Sequence, residues 1–291
     1  MRRLLIIGCG DVALRAIPFL LTCHYRIFAL VHDPADCAGL RKLGAVPILG
    51  DLDDRASLAR IAGLADAVLH FAPPASTGTH DLRTRNLLGI LSQGRLPKRL
   101  VYISTSGVYG DCGGAWISET HPLNARTARA QRRVDAESRL RHWGRRNGVN
   151  ISILRAPGIY AADRLPLDRL QKGMPCIASA EDSYSNHIHA DDLARTAVAA
   201  LHRAKPGRIY HASDDSQMKM GDYFDAVADA FCLPHPPRLM RAEAERAVPP
   251  MLWSFMNESR RLDNTRMKRE LKIALRYPDV LEALAEISLR C

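Results

Sequence analysis

No apolar run in the 291 residues approaches the roughly 18 to 20 that a bilayer-spanning helix needs, so no spanning segment is expected. The chain also lacks a C-x-x-C pair. Its seven cysteines, at positions 9, 23, 37, 112, 176, 232 and 291, are odd in number. That argues against a disulfide framework and a zinc site, and fits free thiols in a reducing cytoplasm. The opening MRRLLIIGCG has neither the longer apolar region nor the small-residue cleavage site of a signal peptide, so it reads as a strand. Lysine is scarce as well: 34 of the 41 basic residues are arginine. Against 31 acidic residues they give a formal charge of +10, a balance that suits nucleic acid, a membrane surface or an anionic substrate. The arginines are spread along the chain with no basic tail. The arginine-rich stretch 132–146, with Trp143, lacks the stacking aromatics of a nucleic-acid platform, so a solvated helix face is preferred. No repeat or low-complexity segment occurs. The 47% hydrophobic content is enough for a packed core.

Apolar runs alternate with helical periodicity. Residues 3–9, 26–32, VPILGDL, AVLHFAPP, 99–105 and ISILRAP read as strands. Residues 11–24, 54–63, 80–93 and 125–147 read as helices, the first with Ala13, Ile17, Leu20 and Leu21 on one face and Pro18 inside. This alternation predicts an α/β fold, a doubly wound parallel sheet buried on both faces. The rhythm changes after Pro157. Residues 1–157 are expected to form the sheet domain. Residues 158–291 are expected to form mainly a small, discontinuous capping region, with 208–213 rejoining the sheet.

Gly8-Cys9-Gly10-Asp11-Val12-Ala13 is G-x-G-x-x-A between the first strand and the first helix. Gly8 permits the turn, Gly10 lets backbone approach a pyrophosphate, and Ala13 lets the helix pack close to the strand. The helix N-terminus offers N–H groups and the positive end of its dipole. Asp51 and Leu52 follow the third strand, where a carboxylate can accept from an adenine amine or simply cap a helix. Phe71, Ala72 and Pro73 end the fourth strand, where backbone would run along the cofactor. After the second strand stand His32 and Asp33. An acid there selects the free ribose of NAD, and a basic group the 2′-phosphate of NADP. Both cofactors stay open.

These stretches, together with VYISTSGVYGD, RAPGIY, NHIHADDLA, YHASDD and DNTRMKREL, make the chain resemble the extended and atypical short-chain dehydrogenase/reductase branch of NAD-dependent epimerases and dehydratases. The resemblance spans most of residues 3–272 and implies a Rossmann-like core with a substrate-capping region. It places Pro157 beside the cofactor and Thr105 where the family orients its substrate. The family's Tyr-x-x-x-Lys pair is absent: no tyrosine here has a lysine four residues later, and Arg129 and Arg133 fall at the two positions. Arginine cannot act as a general base, but it can bind ribose hydroxyls or clamp a phosphate or carboxylate. Tyr109, in the loop after Thr105, is the expected proton-transfer group, its pKa lowered by the two arginines; Asp111 and Glu119 are weaker candidates. His187, His189, Asp191 and Asp192 are read as a strand leading into a helix, with no metal expected. The resemblance therefore implies an NAD(P)-dependent enzyme acting on a small, anionic molecule such as a nucleotide-linked sugar, and a homodimer is compatible with it. The alternative is a non-catalytic NAD(P)-sensing or scaffolding protein.

Overall fold

The computed structural model describes residues 1–289. Leu4–Ile7 are fully buried, and their alternating side chains enter two different cores, so the first strand is covered on both sides. Seven strands form one parallel sheet: β1 (Arg2–Ile7), β2 (Tyr25–Val31), β3 (Val46–Leu49), β4 (Ala67–His70), β5 (Arg99–Thr105), β6 (Asn150–Ala156) and β7 (Ile209–His211). Their order is β7-β6-β5-β4-β1-β2-β3. The order reverses between β1 and β4, which opens a crevice at the strands' C-terminal ends.

Helices α1 (Asp11–Thr22), α2 (Asp36–Lys42), α3 (Leu82–Leu91) and α4 (Ala128–Asn147) follow β1, β2, β4 and β5. Leu4 and Ile6 pack with Ala13, Ile17 and Leu20 of α1, while Leu5 and Ile7 share a core with Leu87 of α3 and Leu140 of α4. After β6 come α5 (Leu167–Gln171) and α6 (Ala190–Arg203); after β7 come α7 (Met220–Ala230), α8 (Arg241–Ala247), α9 (Pro250–Met256), α10 (Thr265–Leu271) and α11 (Val280–Ser288). α6 and α10 cover the α1 side of the sheet. Helices α5, α7 and α11 enclose a separate core around Tyr160, Phe224 and Leu284.

Local chemistry corrects two details. The helix expected over 54–63 is a 3₁₀ turn, Ala56–Ile61. Asp54 accepts from the Ala56 N–H, and the Ser57 hydroxyl donates to the Asp54 carbonyl and accepts from the Asp51 N–H; such local bonds compete with an α-helical ladder. In α1 the buried face uses Ala16, not Leu21, and the helix runs through Pro18, which lies on the exposed side. Six cysteines are free thiols, and Cys291 lies outside the described residues. No helix among the described residues is long and apolar enough to cross a membrane.

Candidate functional site

A cleft of about 380 Å³ opens where β1, β2 and β4 end, lined by Gly8, Gly10, His32, Asp51, Leu52, Ala72 and Pro73 among others. Gly8 has φ +86°, and a Cβ there would collide with the Ala72 backbone. The loop closes this tightly because both Phe71 and Ala72 donate N–H bonds to the Ile7 carbonyl. Gly10 is different. It begins α1 with extended backbone and no capping side chain, and a Cβ on it would meet no atom within 4 Å, only the cleft. The first N–H groups of α1 are thus left for an anion. Ala13 is buried against the sheet, and Val12 packs partly buried beside it. The cradle fits a dinucleotide pyrophosphate: backbone lines it where side chains would fill it.

Not every expected residue faces this cleft. Asp11 accepts from Arg15 Nε at 2.7 Å and Arg164 Nη1 at 3.1 Å. Arg15 also reaches Asp191 at 2.8 Å and Asp163 at 2.9 Å, tying α1 to the segment after β6 and to α6. Phe71 packs its ring toward the α1 core. Asp33 turns its carboxylate onto the Ala35 N–H at 2.8 Å, opening α2. The acid lining the cleft beside His32 is Asp36. Its charge adds to burial in pushing the Cys9 thiol up to about 12. Sequence reading passed over Asp36 because Asp33 stands nearer the strand end, and the turn that diverts Asp33 has no marker beyond Asp-Pro. It also missed Arg83, which lines the cleft while pairing with Asp53 at 2.6 Å.

The C-terminal end of β5 lies one strand away from the cleft wall, since His70 of β4 registers with Tyr102 of β5. Thr105 ends β5, and its hydroxyl oxygen accepts from the Gly107 N–H at 3.2 Å, which leaves its proton free to donate. Ala156 registers with Thr105, so Pro157 follows at the same edge. From α4, Arg133 donates through Nη1 to the Ile103 carbonyl and to the Tyr102 hydroxyl, both at 2.8 Å. Arg129, one turn earlier, lies 3.7 Å over the Phe255 ring. Burial, with Arg133, Arg260 and Arg132 nearby, lowers its pKa despite the charge of Glu258.

Tyr109 does not join this group. It is fully buried, its hydroxyl accepting from Arg155 Nη1 at 2.6 Å. His211 Nδ1 faces the Asp263 carbonyl at 3.0 Å, so its Nε2 is the acceptor for the phenol proton at 2.6 Å. Burial pushes the phenol up to about 12 even beside Arg155. The expected lowering by Arg129 and Arg133 is absent because the charge beside Tyr109 is Arg155. Glu119 is likewise buried, accepting from the His211 N–H at 3.2 Å, and Asp111 holds the Ser259 N–H at 2.8 Å. His187 and His189 are buried against Tyr223 and Tyr277, and no group of three or more metal-ligating side chains occurs among the described residues.

Comparison with known proteins agrees with this architecture. A family model described as NAD(P)H-binding matches residues 8–204. The human dTDP-D-glucose 4,6-dehydratase is 23% identical over 242 residues, 73% of this chain and 69% of that protein. A functionally unknown conserved protein from Silicibacter pomeroyi superposes with TM-score 0.81 at 29% identity, covering 100% of this chain and 99% of the other. A dTDP-glucose 4,6-dehydratase double mutant from Streptomyces venezuelae, with NAD and DAU bound, gives 0.79 at 21% identity, covering 99% and 96%. The matched span runs from the glycine loop to α6, the whole frame of the cleft. The chain is thus a member of the NAD(P)H-binding family, and its similarity to dTDP-glucose 4,6-dehydratases agrees with the resemblance to NAD-dependent epimerases and dehydratases.

Proposed function

We propose that the chain is an NAD(P)-dependent oxidoreductase or epimerase-like enzyme that acts on a hydroxyl or carbonyl of a small anionic molecule without the Tyr-x-x-x-Lys pair. The observation that carries this is the continuity of two features: a phosphate cradle at Gly8–Ala13 and, two strands over, an arginine-bearing α4 facing the end of β5. The acidic ribose end, with Asp36 in the cleft, supports NAD over NADP. When bound, the nicotinamide supplies a hydride acceptor or donor. The chain's residues do the rest. Gly10 and the α1 N-terminus hold the pyrophosphate. Thr105 donates to the substrate oxygen. Arg133 and Arg129 stabilise negative charge that develops on that oxygen, which guanidinium groups do without giving up a proton. The proton itself exchanges with water, since Tyr109 is committed to His211.

Calorimetric titration with NAD⁺ and NADP⁺ tests the binding, and a panel of hydroxy, oxo and nucleotide-sugar compounds, with dTDP-glucose first, tests turnover. Tight cofactor binding with no turnover across that panel would favour a non-catalytic NAD(P) sensor, a reading supported by the sealed Tyr109. Absence of any cofactor binding would remove both.

A further inference from the structure

Four arginines converge beside the end of β5. Arg129, half-buried, donates a hydrogen bond to no described residue and has only the Phe255 ring beneath it. Arg132 is 8% exposed; its Nη1 donates to the Gly78 carbonyl at 2.5 Å, while its Nε is buried without a partner. Arg260 donates to the Gly110 carbonyl at 2.6 Å and pairs with Glu258 at 2.9 Å, and its Nε is also buried without a partner. Arg133 completes the group through its bonds to β5. Glu258 acts on Arg129 as an opposing charge, and Arg133, Arg260 and Arg132 act against it. Like charges brought together out of water repel, and donors buried without acceptors cost free energy. An anion held among the four would relieve the repulsion.

We propose that Arg129, Arg132, Arg133 and Arg260 form an anion subsite for the carboxylate or phosphate of a small acid, whose charged group lies directly beside the reacting carbon. The proposal rests on the NAD(P)-enzyme reading and deepens it. Two things set the class. Arg129 and Arg133 stand at the positions of the missing proton-transfer pair, on α4, which faces the end of β5, the strand next to the cofactor cleft. A charge held there is a few bonds from the reaction, not at the far end of a sugar. The walls are tight as well: Arg132 is tied to the loop after β4, Arg260 to the loop after β5, and Arg129 is backed by Phe255 of α9. Guanidinium forks in this arrangement suit a planar carboxylate or a compact phosphate.

The test is calorimetric titration of the protein with malonate, inorganic phosphate and dTDP-glucose, each with and without saturating NAD⁺. The expected result is binding of malonate or phosphate that weakens by about tenfold or more in Arg129→Ala and in Arg260→Ala. Arg129→Lys should recover part of it. Arg85→Ala, in a separate groove between α3 and α4, should change nothing. Because Arg129 donates a hydrogen bond to no described residue, and its loss trades the Phe255 contact against relief of the arginine repulsion, Arg129→Ala should melt close to wild type and bind NAD⁺ with unchanged affinity. Equal anion affinity in wild type and Arg129→Ala, or no anion binding in wild type, overturns the subsite. dTDP-glucose bound more than about tenfold tighter than malonate, with the same dependence on Arg129, overturns the small-acid class. Failure of NAD⁺ and NADP⁺ to bind wild type overturns the cofactor reading instead, and the titrations without NAD⁺ still report on the arginines.

Discussion

Gly8 and Gly10 are two residues apart and fail differently when replaced. At Gly8 any side chain meets the Ala72 backbone, so substitution strains the fold; at Gly10 it meets only the cleft. Gly10→Leu should therefore melt near wild type yet bind cofactor about ten- to a hundredfold more weakly, the scale of an overpacked contact, as read by calorimetry. Full affinity would place the pyrophosphate elsewhere. Asp36 bears on cofactor choice. NAD⁺ should bind more tightly than NADP⁺, and Asp36→Ala should narrow the gap by about tenfold, the loss of one charge repulsion across the cleft. Tyr109→Phe should cost about 1 to 3 kcal/mol of stability, because Arg155 and His211 each lose a buried partner, with cofactor affinity unmoved. Paired urea melts and titrations separate these outcomes. The glycines were legible because their spacing serves a backbone need that few other folds share. Tyr109 was not. Nothing in V-Y-G-D tells that His211, 102 residues later, will cover its hydroxyl.

The long helix α4 looks from its sequence like a solvated arginine rod, and much of its outer face is. Its inner face holds Ala136 and Leu140 against the sheet, and Glu137 reaches Arg155 of β6 through two hydrogen bonds, at 3.1 and 2.6 Å. Both side chains are almost fully buried. Breaking one side of such a pair leaves an uncompensated charge in the interior, so Glu137→Ala should lose about 3 to 5 kcal/mol, seen as a lower urea midpoint with the slope retained. A midpoint within experimental error of wild type would show that water reaches Arg155. Strands β1 to β6 could be read from sequence because each is a continuous apolar run bounded by turn residues. The short elements after β6 could not. Pairs such as Cys176–Ile177 with Arg238–Leu239 span two residues each and are set by neighbours distant in the chain, so no local period marks them.

For the molecule as a whole, acid is the expected weakness. Burial holds His70 and His211 at about 3 and His187 at about 4. The unfolded chain takes up those protons near 6.5, whereas the folded chain does not, so the stability they contribute is full above 6.5 and drains away as pH falls. Asp214, Asp182 and Glu119, held above their ordinary range by burial, act in the opposite sense, whereas Asp53, Asp66, Asp135, Asp263 and Glu270, held below theirs, lose stability with the histidines as pH falls. The urea midpoint should fall between pH 7.5 and 5.5; a midpoint that holds or rises would mean the histidines gain partners on protonation. One feature of the sheet also bears on how the chain is made. Its edge strand β7 pairs with β6 only after an excursion of more than fifty residues, and β7 carries the His211 that seals Tyr109. A chain halted at 157 would display β6 as an open edge and leave the Tyr109 phenol and the Glu119 carboxylate without their His211 partner. The cofactor-binding half is therefore not a module that can be cut out or shuffled. Its fold is expected to complete only once residue 211 is available, and a fragment ending at 157 should partition into aggregates.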